Sequence, residues 1–316
     1  MPRRQSGVGT NTPTGPDSVE ATAQRRRLTG LAYRLLGSLS EAEDAVQEGY
    51  ARWYGLPAKQ RAEVVSPAAW LTTVVSHVCL DMLGSARSRR ERYVGPWLPE
   101  PLSTEATEWT SLARNGTGAD PLDRLSLDES LSIAILTVLE RLTPAERVAF
   151  VLHDVFGYPF AEIAEITERN PGACRQLASS ARRGVHAARR TEVSSADLAR
   201  TVAAFKAAWE AGDITGLIGQ LDAAATATID GGGKVSAAPA PLTDGERIAR
   251  FFLDVYDRQP DLVIRQTAVN GAAGLIAQDA GGRTLAAISF ALRGTRISDI
   301  WVMRNPDKLT TWNSTR

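Results

Sequence analysis

The sequence predicts a multi-domain chain, two all-α domains followed by an α+β domain, and three observations predict it. Apolar residues recur at helical spacing from residue 20 to about 190, interrupted once by a stretch rich in proline and glycine. Beyond residue 194 one amphipathic helix gives way to alternating, glycine-punctuated segments of strand length. Lys+Arg and Asp+Glu each number 36, so the net charge is zero, yet short windows are strongly acidic or strongly basic.

Residues 1–19 carry two arginines with no apolar segment behind them and read as a disordered tail, not a secretion signal. No apolar run approaches membrane-spanning length. Cys79 and Cys174 lie far apart without metal-ligand spacing, which points to a reducing, cytoplasmic setting, to small apolar filler roles and against a zinc site. His153 and His186 are equally scattered, and no cofactor is expected.

The first domain, residues 20–93, reads as helices: "RRRLTGLAYRLLG", "SEAEDAVQEGYARWYG" and "SPAAWLTTVVSHVCLDMLGSARSRRERY". Ser40 ahead of Glu41 and Glu43 suggests a capping box, and Ser66 with Pro67 a second helix start. In the second helix Ala42, Ala45, Val46, Gly49 and Trp53 form an inner stripe, leaving Asp44, Gln47 and Glu48 as one acidic patch. Trp53 and Trp70 read as core residues. The third helix runs into Arg87, Arg89, Arg90 and Arg92, opposed by Glu91 alone.

Residues 94–125 hold four prolines and three glycines with little periodicity and read as a linker. Trp97, Leu98 and Trp109 are apolar residues that a linker rarely exposes without a use.

The second domain, residues 126–190, returns to helix with "SLDESLSIAILTVLERL", then "TPAERVAFVLHDVFG" opening on Thr143, Pro144 and Glu146, then "PFAEIAEIT". From Asn170 to Arg190 there are five arginines and no acidic residue. A helix starting at Pro171 turns Ala173, Leu177 and Ala181 inward and leaves Arg175, Gln176, Ser179, Arg182 and Arg183 on the other side. A short helix, a three-residue turn and a basic helix make a helix-turn-helix, whose second helix enters the major groove. Arginine and glutamine supply the donors and acceptor that base edges require, and the charge suits phosphates.

The third domain, residues 194–316, opens with the helix "ADLARTVAAFKAAWEAGD". It continues with "LVIRQTAVN", "GLIAQDAGG", "TLAAISFALRG" and "RISDIWVMRN", which suggest a curved antiparallel sheet packed on helices. "DGGGK" (Asp230, Gly231, Gly232, Gly233, Lys234) reads as a loop touching the first two domains, or as a phosphate cradle or small-ligand loop. "NPDKL" (Asn305, Pro306, Asp307, Lys308, Leu309) lies near the chain end.

"AEDAVQEGYARWY", "WLTTVVSHVCLDML" and "LTPAERVAFVLHDVFGYPFAEIAEI" resemble regions two and four of the extracytoplasmic-function (ECF) sigma factors of bacterial RNA polymerase. The third domain, with its "DGGGK" and "NPDKL", resembles the SnoaL-like (NTF2-like) domain fused to one ECF subgroup, and "GPWLPEP" is similar to that subgroup's linker motif. The resemblance implies a transcription initiation factor and not an enzyme. Its implied partners are core RNA polymerase, through the clamp helices of the largest subunit and the flap, and promoter DNA, double-stranded and melted. Asp44, Gln47 and Glu48 would meet the clamp helices. Arg87, Arg89, Arg90 and Arg92 would neutralise the melted minus-ten strand, with His77 at a position where many ECF factors carry asparagine. The basic helix would read the minus-thirty-five element.

The same resemblance implies regulation in cis, with Trp97, Leu98, Pro99, Glu100 and Pro101 docking against the two motifs of the third domain. The alternative is that this domain binds an unknown small ligand or works as a cyclase-like or isomerase-like module. It contains no histidine, and nothing in the sequence pairs Asp222, Asp230 or Asp299 with an acid.

Overall fold

The computed structural model describes residues 16–90, 93–110, 129–188 and 193–313. Most of the expected tail, Arg92 and the second half of the expected linker lie outside the described residues.

Four helices open the chain: α1 (Pro16–Leu36), α2 (Leu39–Gly55), α3 (Ala58–Glu63) and α4 (Pro67–Arg90). Leu28, Leu31, Ala32, Leu35 and Leu36 of α1 pack on Ala42, Ala45 and Val46 of α2 and on Leu71, Val75 and Cys79 of α4. α4 starts where Ser66 Oγ accepts a hydrogen bond from Ala69 N at 3.3 Å. The cap of α2 differs from the expected Ser40. Ser38 accepts from Glu41 N, and Leu39 N donates to Glu100 Oε2 at 2.8 Å. A carboxylate arriving from sixty residues away thus satisfies a helix-terminal amide where the dipole favours negative charge.

The linker is extended from residue 96 to 103 and then forms α5 (Thr104–Thr110), a helix that its proline and glycine content does not announce. α5 lies so close to α1 that a Cβ on Gly30 would sit 2.4 Å from Thr110 O.

After a 3-10 turn at Glu129–Leu131 come α6 (Ile133–Leu139), α7 (Pro144–Phe150), a π turn (Val151–Val155), α8 (Phe160–Thr167) and α9 (Pro171–Ala188). α6 is shorter than the sequence suggests because Ser132 caps it by accepting from Ile135 N. α7 carries the full Thr143–Glu146 capping box. Asn170 Oδ1 starts α9 by accepting from Ala173 N at 2.8 Å.

The two helical units share one hydrophobic core. Polar bonds span the join. Buried Arg147 donates to Leu35 O at 2.8 Å, buried Arg34 donates to Ser130 Oγ at 2.7 Å, and Tyr158 OH donates to Thr72 Oγ1 at 3.0 Å. Cys79 and Cys174 are buried apolar fillers in this core, and Trp53 packs against Trp70 at its edge. His153 stacks on Phe160.

The remainder is α+β: α10 (Ser195–Glu210), α11 (Ile214–Gln220), β1 (Leu221–Asp230), β2 (Leu242–Thr243), α12 (Gly245–Arg258), β3 (Val263–Val269), β4 (Ala272–Gln278), β5 (Thr284–Arg293) and β6 (Arg296–Met303), ending in a 3-10 turn (Pro306–Lys308) and α13 (Thr310–Asn313). The strand order is β2-β1-β6-β5-β4-β3. Pairing is antiparallel except between β1 and β6, which corrects the expectation of an all-antiparallel sheet. Alternation divides β4, β5 and β6 between two faces. Ala277, Ala286, Ile288 and Val302 join the aromatic core of Phe205, Trp209, Phe252 and Phe290, whereas Ile276, Ala287 and Met303 on the reverse face cover Leu98 of the linker.

Candidate functional site

Asp44, Gln47 and Glu48 stand exposed on α2, Glu48 in a surface pair with Arg52 at 2.9 Å. His77 is half-buried on α4, and Arg87, Arg89 and Arg90 belong to the last turns of that helix. On α9 the most buried residues are Cys174, Ala178, Ala181 and Val185, with Ala173 and Leu177 half-buried beside them. The inner stripe is therefore turned slightly from the expected one. Arg175, Gln176, Ser179 and Arg183 remain exposed, Arg175 lying over the Phe160 ring. Arg182 is differently placed: it pairs with buried Asp154 of the π turn and so ties α9 to its own scaffold.

The linker residues meet both C-terminal motifs. Asp230, at the end of β1, is fully buried, and its carboxylate accepts from Leu98 N at 2.9 Å, Tyr93 OH at 2.6 Å, Gly232 N at 3.0 Å and Lys308 Nζ at 2.9 Å. Lys308 also donates to Leu98 O at 2.7 Å, and its ammonium lies 4.1 Å from the centroid of Trp97 and 4.7 Å from that of Tyr93. Burial first, and then the bond to Asp230, push the Tyr93 hydroxyl up from its ordinary pKa. Asn305 Nδ2 donates to Tyr93 OH at 2.8 Å. Gly232 and Gly233 have left-handed backbones, φ 61° and 71°. A side chain on the first would strike Asn305, and one on the second Val94. Lys234 and Asp307 form an exposed ion pair outside this node, with Gly231 buried and Pro306 half-buried between the two motifs.

Leu98, Pro99, Glu100 and Pro101 are buried, and Trp97 half-buried. Glu100 links α2 to α13: besides Leu39 N it accepts from Ser38 Oγ at 3.3 Å and Thr310 Oγ1 at 3.4 Å. Its carboxyl is held above the usual range, because burial outweighs these hydrogen bonds. Trp312 Nε1 donates to Pro101 O at 2.8 Å.

"DGGGK" touches the first helical unit's end and the linker. Contact with both helical units at once comes from a residue outside the motifs, Asn270, in the turn between β3 and β4. Asn270 is 1% exposed and left-handed at φ 52°. Its backbone N donates to Leu102 O at 3.0 Å while its Oδ1 accepts from Leu102 N at 2.8 Å. Its Nδ2 donates to Tyr33 OH of α1 and to Leu131 O, both at 2.9 Å. One amide thus bonds to the linker and to both helical units. The only sequence signal for it is Asn270-Gly271, a dipeptide suited to a tight hairpin turn.

The carboxylates weighed as catalytic bases lie apart. Asp230 is bound to Lys308, Asp222 pairs with Arg293 at 2.9 Å, and Asp299 accepts from Ser298 Oγ at 2.7 Å and Thr226 Oγ1 at 3.1 Å. Among the described residues no group of histidine, cysteine or carboxylate side chains is arranged to hold a metal, and no helix is long and apolar enough to cross a membrane.

Residues 21–89 match the family Sigma-70 region 2, and residues 132–183 match Sigma-70, region 4. Over 305 residues the chain is 39% identical to the ECF RNA polymerase sigma factor SigJ of Mycobacterium tuberculosis, covering 92% of each protein. It is 32% identical over 296 residues to a protein of the same species described as a probable ECF RNA polymerase sigma factor, SigI, covering 93% of this chain and 95% of that one. The crystal structure of M. tuberculosis extracytoplasmic function sigma factor SigJ is similar with a TM-score of 0.70 at 33% identity, covering 93% of this chain and 98% of that one.

Proposed function

The chain belongs to the ECF RNA polymerase sigma factors and directs the polymerase to promoters, and from this premise we propose which of its surfaces meet each partner and how the C-terminal domain controls them. Asp44, Gln47 and Glu48 of α2 bind the clamp helices of the largest polymerase subunit, and the second helical unit binds the flap. Arg87, Arg89, Arg90 and Arg92 neutralise phosphates of the melted minus-ten strand next to His77. Arg175, Gln176, Ser179 and Arg183 enter the major groove at the minus-thirty-five element. Arg182 positions this helix from behind, through Asp154.

Control acts through the linker. A promoter's two elements are a fixed distance apart, and two helical units packed on one core have one fixed separation. The C-terminal domain biases the equilibrium between this shared-core state and a more open one, because tethering makes its contacts effectively intramolecular. The observation that supports this is the burial of Leu98–Leu102 between the sheet, α13 and the start of α2.

Reconstituted transcription from one promoter, with core binding measured separately, tests the reading. Asp44→Arg with Glu48→Arg is expected to abolish core binding. Asp230→Ala is expected to change promoter output by more than it changes core binding. Intact core binding in the first variant would overturn the clamp assignment, and unaltered transcription in the second would overturn control through the linker.

A further inference from the structure

We propose that Phe160 is a positioning residue for base readout: its ring, steadied by His153, orients the guanidinium of Arg175 toward a base edge, so that Phe160 governs sequence discrimination without touching DNA. The proposal rests on the reading above that Arg175 enters the major groove. Arg175 is exposed near the start of α9. Among the described residues no carboxylate or carbonyl claims its side-chain N–H groups; the guanidinium lies over the Phe160 ring, with Cζ 5.4 Å from the centroid. An exposed arginine samples many rotamers, and fixing it on a base costs that freedom. A contact that restricts it beforehand removes part of the cost.

Arg182, further along the same helix, shows the other way to fix an arginine. Asp154 binds its Nε and offsets its charge, so that guanidinium is committed to the scaffold. A π face instead holds a guanidinium through its charge and leaves the planar fork of donors open. That fork is what matches O6 and N7 of guanine.

Phe160 suits the role because its own place is fixed. It is the first residue of α8, entered through Pro159 in extended conformation, and it is half-buried against the shared core. The His153 imidazole stacks on it, with ring centroids 3.9 Å apart and planes at 23°. His153 is anchored in turn, its Nδ1 lying 2.9 Å from Tyr158 O. A carbonyl only accepts, so Nδ1 carries the proton and donates, which sets the plane of the imidazole. His153 and Asp154 are neighbours in the π turn. One irregular turn thus bears on both arginines of α9, reaching Arg175 through rings and Arg182 through a carboxylate. Such turns are frequent at functional sites.

Holoenzyme assembled from core polymerase and the full-length chain tests this, through its relative affinity for duplex promoters carrying each base pair in turn at every minus-thirty-five position. Arg175→Ala locates the position that Arg175 reads. There, Phe160→Leu and Phe160→Met, which keep apolar bulk and remove the π face, are expected to lower the preference for the favoured base pair about two- to fivefold. The dependence of affinity on salt, which follows phosphate contacts, is expected to stay as in the parent. Phe160→Tyr keeps the ring and is expected to retain the parent's preference. Added to Arg175→Ala, Phe160→Leu is expected to change the preference no further, because a positioning residue acts only through the residue it positions. Undiminished preference in both ring-less variants, an equal further loss when Arg175 is already absent, or a lowered Tm with affinity reduced alike for all sequences would each overturn the positioning role and leave Arg175 as a reader of bases. A loss in Arg175→Ala spread evenly over all sequences would instead overturn base reading by Arg175, and the role of Phe160 with it.

Discussion

At one end of the buried linker, Asp230 and Lys308 bring opposite charges into a site nearly closed to water; four residues further on, Asn270 holds Leu102 with a neutral amide. The two nodes differ in more than charge. The bonds of Asp230 run to Tyr93 and to the start of the docked segment, so that node fixes the linker onto the sheet. The bonds of Asn270 run to Leu102, to Tyr33 of α1 and to Leu131 at the start of the second helical unit. Losing the first should free a segment, whereas losing the second should loosen the arrangement of whole units. A charged node is also the more brittle, because removing either member strands the other charge away from water.

The largest effect is therefore expected from Asp230→Ala, which leaves Lys308 without its carboxylate and Leu98 N and Tyr93 OH without their acceptor. Breaking a buried pair in this way costs about 3–5 kcal/mol. The measurements are thermal stability of the full-length chain and amide exchange over residues 93–102. Asp230→Asn, which keeps an acceptor, is expected to lose less. Equal losses would mean that the pair's charge contributes little and that the contrast between the nodes is one of shape alone.

Asn270→Ala comes next. It leaves Leu102 N and Leu131 O unsatisfied and puts alanine where the backbone is left-handed, at a cost of about 2–3 kcal/mol. Its signature is geometric. The distance between spin labels on α2 and α9 is expected to broaden and lengthen in Asn270→Ala and to stay narrow in Asp230→Ala. The reverse pattern would assign the holding of the two units to the charged node.

Much of the scaffold was legible because it rests on local signals. Thr143 with Glu146 and Ser66 with Pro67 mark helix starts, and β3 to β6 follow alternation and glycine punctuation. The charged node drew attention for a physical reason as well: a buried carboxylate needs nearby amides and a cation, which leave glycines and a lysine in the sequence. What stayed hidden depends on distant partners. Glu100 moves the cap of α2 from Ser40 to Ser38, Asp154 claims Arg182, and β1 is too rich in alanine to read as a strand until β6 lies beside it. An amide hub such as Asn270 leaves only a turn dipeptide, since its partners are mostly backbone atoms, which every residue has.

Trp97→Ala sharpens the comparison from inside the charged node. Trp97 makes a face for the Lys308 ammonium but carries no charge itself. Its loss is expected to cost about 1–2 kcal/mol in the same exchange measurement. A loss as large as that of Asp230→Ala would place the node's strength in ring packing.

The smallest effect, and the one that separates charge from shape most cleanly, is expected at Glu100, which lies between the two nodes. Glu100 is a carboxylate held largely as a neutral acceptor would be, by Leu39 N, Ser38 and Thr310, with Lys308 acting only as a weaker influence from farther off. Burial raises its pKa in the docked state above its value in the free chain. The stabilisation from its protonated form is then complete below the free-chain value and is lost as pH rises through the raised, docked value. Docking of residues 98–102 should therefore be firmest on the acid side and relax across that interval. Glu100→Gln keeps the oxygen for Leu39 and offers an amide to Thr310, whose hydroxyl can turn to accept it. This variant is expected to match the parent at low pH, to dock at least as firmly above the interval, and to lose the slope between. Amide exchange of the linker measured as a function of pH in both proteins checks this. A slope that persists in Glu100→Gln would move the titration to another group and leave Glu100 as a helix cap whose charge is incidental.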